Sequence, residues 1–314
     1  MVTISPEEKN RYRNLILQGE KANKDDVAID YDSLNDLFYL GQYYREMNVS
    51  MARMMENALD WEHLPFLHSS SFAGINAIAH GRWGWCAKVE LPPQGSGQFQ
   101  VIQLLVDLTK HYWATTILEG FGEGTQIHTQ AKRLSDDGEQ EYISVSVDFY
   151  IPIAEGQERP NDEQKAALLT YFQQQYALLY DEDYSMMFSR QQELQILRTE
   201  QNKSFDELGY LAANKFYLGK KSQMELPLVV LVEGKSICVR EVETQLIAHQ
   251  ALCPHQLGPL SDASCLQEGM VTCPWHGYRF DPVTGKSLDE KRLSIACDWL
   301  VVYNEKTEEY WLER

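Results

Sequence analysis

Two short loops in the last third of the 314-residue chain combine cysteine and histidine at close spacing. Cys253 and His255 stand in a Cys-Pro-His triplet, and Cys273 and His276 stand in Cys-Pro-Trp-His, with residues 256–272 between the two motifs. Two thiolates can hold one iron of a [2Fe-2S] cluster while two neutral imidazoles hold the other, which raises the reduction potential. The spacing therefore predicts an electron-relay cluster. A structural Cys2His2 zinc site uses the same ligand types and is the competing interpretation.

The residues around these ligands resemble the Rieske [2Fe-2S] domain. Gly277 and Tyr278 follow the second histidine, as they do in that family. The family usually has a glycine two residues after the first histidine, but here Leu257 stands there and Gly258 follows, so we expect a slightly remodelled loop. The cytochrome bc type carries two further cysteines that link its loops, where this chain has Gly258 and Trp275. The pattern therefore resembles the lower-potential type of oxygenases and soluble ferredoxins.

A second set of metal-binding residue types lies at the end of a predicted helix over residues 46–63. That helix is predicted from methionines that recur on one helical face, namely Met47, Met51, Met54 and Met55. Asp60 and His63 are three residues apart, so both are expected on one face of the helix. His68 follows the turn that Pro65 imposes and can return towards that face. Alone this pattern is weak, because two histidines at such a spacing are usually unrelated.

In a chain with a Rieske motif, the Asp-x2-His-x4-His pattern resembles the mononuclear iron motif of the Rieske non-haem iron oxygenases, the aromatic-ring-hydroxylating oxygenase alpha-subunit family. The resemblance implies that His63, His68 and one carboxylate bind Fe(II), leaving open positions for O₂ and substrate. It implies that Asp60 hydrogen-bonds the cluster ligand His276 on one side and His63 on the other, coupling the two metals. It also places Asn57 beside the iron.

The carboxylate ligand is expected from a long predicted helix over residues 162–197, which offers Asp181, Glu182 and Asp183. The helical neighbours of Asp183 are apolar: Leu179, Tyr180, Met186 and Met187. A bare carboxylate in an apolar stripe is costly unless it is paired or bound to metal. The resemblance favours the same residue, because the family tends to use the Asp of a Glu-Asp pair. We therefore predict Asp183, with Asp181 and Glu182 as alternatives and a solvated acidic cluster as the competing interpretation.

The order of the predicted elements indicates an α+β fold. Consecutive strand-like segments with short turns between them predict an antiparallel sheet, at residues 83–90, 99–106, 112–121, 125–133 and 141–151. The long helix then covers this sheet. The resemblance implies that this is a helix-grip (START-like) catalytic domain with the mononuclear iron. From residue 226 the chain reads as all-β. The predicted division is a catalytic domain at 1–200, a polar linker at 201–224 and an all-β Rieske [2Fe-2S] domain at 225–314, the reverse of the usual family order.

Composition excludes several classes of function. The chain has 46 acidic and 28 basic residues, for a net charge of −18, and this argues against a general nucleic-acid surface. No apolar run reaches the roughly 18 residues of a membrane span. The start lacks a basic stretch followed by an apolar core, so we expect no signal peptide and a cytoplasmic protein.

The resemblance implies a Rieske-type oxygenase with three cofactors or co-substrates: a Rieske [2Fe-2S] cluster, a mononuclear Fe(II), and O₂. Its expected partners are an NAD(P)H-dependent reductase or a ferredoxin, and an apolar or aromatic small molecule that is hydroxylated, dihydroxylated or oxidatively demethylated. A homo-oligomer, a trimer in the family, is also implied. The alternative is a non-catalytic Rieske electron-transfer protein fused to a hydrophobic-ligand-binding domain.

Overall fold

The computed structural model of the chain describes residues 4–12, 29–136, 141–202, 214–289 and 291–314. The chain divides into two units, Met1–Phe188 and Ser189–Arg314. Each unit is described separately below.

The first unit is built on a seven-stranded antiparallel sheet in the order β1-β7-β6-β5-β4-β3-β2. The strands are β1 (Phe38–Met47), β2 (Gly74–Gly81), β3 (Gly84–Glu90), β4 (Phe99–Asp107), β5 (Tyr112–Gly120), β6 (Gln126–Asp136) and β7 (Glu141–Ile151). The last five match the strands predicted from the sequence, whereas β1 and β2 were not predicted. On β7 the alternate residues Ile143, Val145, Val147 and Phe149 are fully buried. One face of the sheet therefore carries the core of this unit.

Helix α1 (Met51–Leu59) begins later than the helix predicted over residues 46–63. Ser50 starts it, because its hydroxyl accepts a hydrogen bond from the backbone N–H of Arg53 at 3.3 Å. Met47, which belonged to the predicted helical stripe, is the last residue of β1 and is buried there. The predicted start of the helix was therefore wrong. A buried methionine at the end of a strand gives the same apolar signal in the sequence as a buried methionine on a helix.

The predicted end of that helix was also wrong. Asp60 is already in an extended conformation, with φ −87° and ψ 96°. A short second helix, α2 (Leu64–Leu67), follows with Pro65 in its first turn. In the first turn of a helix the missing N–H of proline costs no hydrogen bond. In one continuous helix, however, Pro65 would have to donate to the carbonyl of Trp61, which it cannot do. Asp60 and His63 therefore do not lie on one helical face and are joined by a turn between two helices.

The long helix α3 (Asp162–Asn202) contains the predicted segment 162–197. A reciprocal pair of hydrogen bonds caps its start. The side chain of Asn161 accepts from the backbone N–H of Gln164 at 2.9 Å, and the side chain of Gln164 accepts from the backbone N–H of Asn161 at 3.0 Å. In the described part of the chain no helix, including this one, is long and apolar enough to span a membrane.

Aromatic side chains fasten α3 to the sheet. The rings of Phe172 and Tyr176 each lie 5.0 Å from the ring of Phe149 on β7, measured between centroids. Tyr180 stacks on Tyr43 of β1 at 5.9 Å with an interplanar angle of 18°. Such contacts bury large apolar area and add about 0.5–1.5 kcal/mol per aromatic pair. An antiparallel sheet covered by a long helix confirms the α+β expectation for this part of the chain.

The second unit contains three three-stranded sheets, in the orders β11-β10-β9, β12-β13-β14 and β15-β16-β8. The strands are β8 (Lys215–Lys220), β9 (Leu228–Val232), β10 (Lys235–Val242), β11 (Gln245–Gln250), β12 (Leu266–Gln267), β13 (Met270–Thr272), β14 (Arg279–Phe280), β15 (Leu300–Asn304) and β16 (Glu309–Glu313). Every strand pairing is antiparallel. The all-β expectation for the C-terminal part is confirmed.

Strand β8 lies inside the segment predicted as a linker, residues 201–224. It pairs with β16, and Tyr217 packs on Trp311 with ring centroids 4.8 Å apart. The polar and basic composition of the segment concealed this strand, because Lys215 and Lys220 sit at its two ends. Residues 203–213 of the predicted linker lie outside the described residues.

Candidate functional site

Helix α2 brings two of the predicted iron ligands together. His63 directly precedes this single-turn helix and His68 directly follows it. The carbonyl of His63 accepts from the N–H of Leu67 at 2.9 Å, and the N–H of His68 donates to Leu64 at 3.0 Å. The two imidazoles are consequently close, with centroids 5.1 Å apart, and they are 2% and 1% exposed. Two buried imidazoles this near each other need a polar partner.

Asp183 on α3 is that partner. Its Oδ1 lies 2.9 Å from Nε2 of His68 and 3.5 Å from Nε2 of His63. The candidate ligand atoms of these three residues all lie within 4.8 Å of one another. The predicted ligands His63, His68 and Asp183 are therefore brought together around one point.

The neighbouring acids lie elsewhere. The side chain of Asp181 is 67% exposed and forms an ion pair with Arg45 at 2.7 Å. The carboxylate of Glu182 contacts the other ring nitrogen of His68, with 2.7 Å between Oε2 and Nδ1. Of the three carboxylates left open by the sequence, only that of Asp183 faces both histidines through their Nε2 atoms.

The charges of this triad are strongly coupled. Burial opposes protonation of His63, but the adjacent carboxylates of Asp183 and Asp60 outweigh it and raise its pKa to about 9. Burial likewise opposes ionisation of Asp183, yet hydrogen bonds from His63 and His68 hold its pKa well below the ordinary value. Two imidazole nitrogens and one carboxylate oxygen around one point form the donor set of a facial Fe(II) site. The residues present therefore fit a mononuclear iron.

The other two predicted residues lie beside the triad. Oδ2 of Asp60 is 3.6 Å from Nδ1 of His63, outside direct hydrogen-bond distance. Asn57 is 7% exposed, and its side-chain oxygen has no hydrogen-bond partner among the described residues. A buried amide oxygen without a partner is unusual in a structural position. Asn57 thus presents an acceptor at the edge of the site.

A cavity of about 140 Å³ adjoins the triad. Its lining is mostly apolar and comes from α1, α2, the sheet and α3: Met54, Asn57, Ala58, Asp60, His63, Leu64, His68, Phe72, Trp85, Ile102, Leu104, Trp113, Thr115, Tyr176, Leu179, Tyr180 and Asp183. The sequence reasoning did not find the two tyrosines of this lining. Their spacing could have predicted them, because Tyr176, Tyr180 and Asp183 are four and three residues apart and therefore share one face of α3.

The four predicted cluster ligands lie on two loops of the second unit that close in the same way. The carbonyl of Cys253 accepts from the N–H of Leu257 at 2.8 Å, and the carbonyl of Cys273 accepts from the N–H of Gly277 at 2.9 Å. Leu257 and Gly277 both have φ of 65°. The leucine therefore adopts the left-handed conformation that glycine prefers, at a cost of about 1–2 kcal/mol. The first loop thus closes as the second does, and its expected remodelling relative to the family stays a prediction.

Gly258 is required for another reason. A Cβ atom added there would lie 2.9 Å from the sulfur of Cys273 and 3.0 Å from the ring of Trp275. The first loop can approach the second this closely only because residue 258 lacks a side chain. The shift of glycine by one position along the sequence thus keeps the packing between the two loops.

The ligand side chains of the two loops meet. The rings of His255 and His276 lie 4.5 Å apart in an edge-on arrangement, and Tyr278 packs on His255 at 4.8 Å. Cys253 and Cys273 are each 1% exposed. The two thiols shift each other's pKa in opposite directions. The hydrogen bond between them lowers the pKa of Cys253, and the same bond together with burial raises the pKa of Cys273. Two buried thiols and two imidazoles at one point fit a [2Fe-2S] cluster with mixed ligands.

Comparison with known proteins agrees with this geometry. Residues 214–297 match the family model of the Rieske [2Fe-2S] domain. Over 61 residues the chain is 43% identical to the ferredoxin component of the naphthalene 1,2-dioxygenase system of Pseudomonas putida, covering 19% of this chain and 58% of that protein. Over 59 residues it is 42% identical to the ferredoxin component of the naphthalene 1,2-dioxygenase/salicylate 5-hydroxylase systems of Ralstonia sp, covering 19% and 56%.

These matches span a little more than half the length of the curated relatives. Among solved structures, norcoclaurine synthase from Thalictrum flavum, in complex with dopamine and hydroxybenzaldehyde, covers 56% of this chain and 95% of its own, at 12% identity and a TM-score of 0.35. The C-terminal part of the chain contains a Rieske [2Fe-2S] domain, which implies electron transfer.

Proposed function

We propose that this chain is a Rieske-type oxygenase that hydroxylates or oxidatively demethylates an apolar or aromatic small molecule. The observation that carries the proposal is the single carboxylate oxygen of Asp183 at 2.9 and 3.5 Å from the Nε2 atoms of two buried histidines, beside an apolar cavity. When bound, the [2Fe-2S] cluster supplies single electrons and Fe(II) activates O₂.

Each polar residue then has a distinct role in the proposed site. His63, His68 and Asp183 hold the iron, while Asp60 lies on the Nδ1 side of His63 and stabilises the tautomer that presents Nε2. Asn57 offers its unsatisfied amide oxygen to a ligand hydroxyl or water. In the second unit Cys253 and Cys273, with His255 and His276, hold the cluster.

The cavity selects the substrate by shape and polarity. The indole rings of Trp85 and Trp113 and the side chains of Ile102 and Leu104 exclude water and bind apolar surface. The described lining contains no lysine or arginine, so it offers a substrate carboxylate no ammonium or guanidinium cation to pair with. Electrons are expected from NAD(P)H through a separate reductase, directly or through a ferredoxin.

An electron carrier fused to a hydrophobic-ligand-binding unit is the second candidate. It is favoured by one observation, that the matched relatives are ferredoxin components. The two candidates differ in metal content, because the oxygenase needs three irons per chain and the carrier needs two.

Iron and acid-labile sulfide in anaerobically purified protein separate these candidates. We expect three irons and two sulfides per chain, falling to two irons and two sulfides in His63→Ala and in His68→Ala. Asp181→Asn serves as the matched control, because Asp181 lies on the same helix but is exposed. Two irons in the wild-type chain, unchanged in both histidine variants, would refute the oxygenase. Substrate-dependent O₂ consumption with a generic reductase, screened over aromatic and N- or O-methylated compounds, then tests the reaction.

A further inference from the structure

The carboxylate of Glu182 binds the outer nitrogen of His68. Its Oε2 lies 2.7 Å from Nδ1, while the opposite nitrogen, Nε2, lies 2.9 Å from Asp183. An ionised carboxylate can only accept hydrogen bonds, so Nδ1 of His68 carries the hydrogen and donates it to Glu182. A metal-binding imidazole is neutral and has one N–H group. The bond to Glu182 keeps that hydrogen on Nδ1, so Nε2, which faces Asp183 and the centre of the triad, is the nitrogen left to bind a metal.

The position of Glu182 on α3 explains why Glu182 and Asp183 contact opposite nitrogens of His68. Successive residues of a helix project about 100° apart, so Glu182 and Asp183 diverge from neighbouring positions and hold the ring of His68 between them. The side chain of His68 is 2% exposed and that of Glu182 is 27% exposed. The hydrogen bond is therefore largely shielded from water, unlike the carboxylate of Asp181, whose side chain is 67% exposed.

A comparison of the two histidines shows that the contact of Glu182 is the tighter one. Asp60 faces Nδ1 of His63 at 3.6 Å, whereas Glu182 faces Nδ1 of His68 at 2.7 Å. Each histidine thus has one carboxylate on its Nδ1 side and shares Asp183 on its Nε2 side. Only the contact of Glu182 has the length of a charge-assisted hydrogen bond.

We propose that Glu182 is a positioning residue of the metal site, which fixes the tautomer and ring orientation of His68 and strengthens Nε2 as a ligand. This inference rests on the proposed function, because it requires a metal bound by His63, His68 and Asp183. Loss of such an outer hydrogen bond typically weakens metal binding by about 10–100-fold.

Mn(II) binding to the full chain with its cluster in place tests the proposal. After exchangeable metal is removed with a chelator, the room-temperature electron paramagnetic resonance signal of free Mn(II) gives the dissociation constant. Glu182→Met keeps the side-chain length but removes the acceptor, and we expect binding about 10–100-fold weaker. Glu182→Gln keeps a carbonyl acceptor for Nδ1–H and should bind within a few-fold of the wild type. Asp181→Asn should bind like the wild type.

The outcomes separate this proposal from the proposed function. A Glu182→Met variant that binds Mn(II) as the wild type does would overturn the role of Glu182 and leave the metal site intact. A Glu182→Gln variant as weak as Glu182→Met would also overturn it, because charge and not the hydrogen bond would then matter. If the wild type has no Mn(II) site that His68→Ala removes, the metal site itself is absent and both proposals fail.

Discussion

In the metal-free protein, pH should control metal affinity through His63. Its pKa of about 9, against 6.5 for an ordinary histidine, corresponds to roughly 3 kcal/mol in favour of the protonated form, at 1.36 kcal/mol per unit of pKa. A bound metal ion needs the neutral imidazole and must displace this proton. The fraction of molecules with neutral His63 rises from about one in a hundred at pH 7 to about half at pH 9. We therefore expect the affinity for Mn(II) to increase by roughly 50-fold over that interval.

The assay is a series of Mn(II) titrations at pH 7, 8 and 9, read from the resonance signal of the free ion. Calorimetry in buffers of different ionisation enthalpy should show release of about one proton per ion at pH 7. Asp60→Asn is the control, because it removes one of the two carboxylates that raise the pKa of His63 and should move the steep region to lower pH. An affinity that changes by less than about threefold between pH 7 and 9 would refute the reasoning.

The same raised pKa sets the sign of a stability effect. Because the folded-state pKa exceeds the unfolded value, protonated His63 stabilises the metal-free fold fully below about pH 6.5, and this contribution is lost as pH rises towards 9. The melting temperature of metal-free protein should therefore fall between pH 6.5 and 9, and bound Mn(II) should abolish the fall. An equal slope with and without metal would contradict this assignment.

Four further substitutions have defined outcomes. A cavity of roughly this size holds a benzene ring, so the wild type should bind toluene there. Leu104→Trp should fill the cavity and abolish toluene binding, measured by ligand-observed NMR, while Mn(II) affinity changes by less than about threefold. Toluene binding equal to that of the wild type would place the ligand elsewhere. Phe149→Ala should lower the free energy of unfolding of the first unit by about 3–5 kcal/mol in urea titrations, because Phe149 is fully buried between sheet and helix; a loss under about 1 kcal/mol would contradict that packing. Cys273→Ala should remove the visible absorption of the cluster and leave Mn(II) binding intact, whereas Cys265→Ala, also buried but not a ligand, should keep the colour; colour retained in the first or lost in the second would reassign the ligands.

The candidate metal ligands could be proposed from the sequence because their residue types recur at short, characteristic spacings. Cys253 and His255 are two residues apart, and Cys273 and His276 three apart, so one loop presents each pair. The choice of Asp183 followed from its apolar helical neighbours, which anticipate a buried and therefore partnered carboxylate. The role of Glu182 could not be predicted, because it depends on where α2 places His68 relative to α3.

The errors have physical causes as well. The methionine stripe combined Met47, buried at the end of a strand, with Met51, Met54 and Met55 on α1, and periodicity cannot tell these environments apart. Strand β2, with the sequence Gly-Ile-Asn-Ala-Ile-Ala-His-Gly, has only a weak alternation of apolar and polar residues.

The contacts of Asp183 also have a consequence for the order of assembly. In most small metal sites the ligands gather only when the metal binds, so that folding waits for the ion. Here the carboxylate of Asp183 already contacts both imidazoles through its Oδ1. The first unit is therefore expected to complete its fold before iron arrives, to accept the ion late, and to survive its removal. For the proposed oxygenase, iron supply would then limit how much of the protein is active and not how much of it is folded.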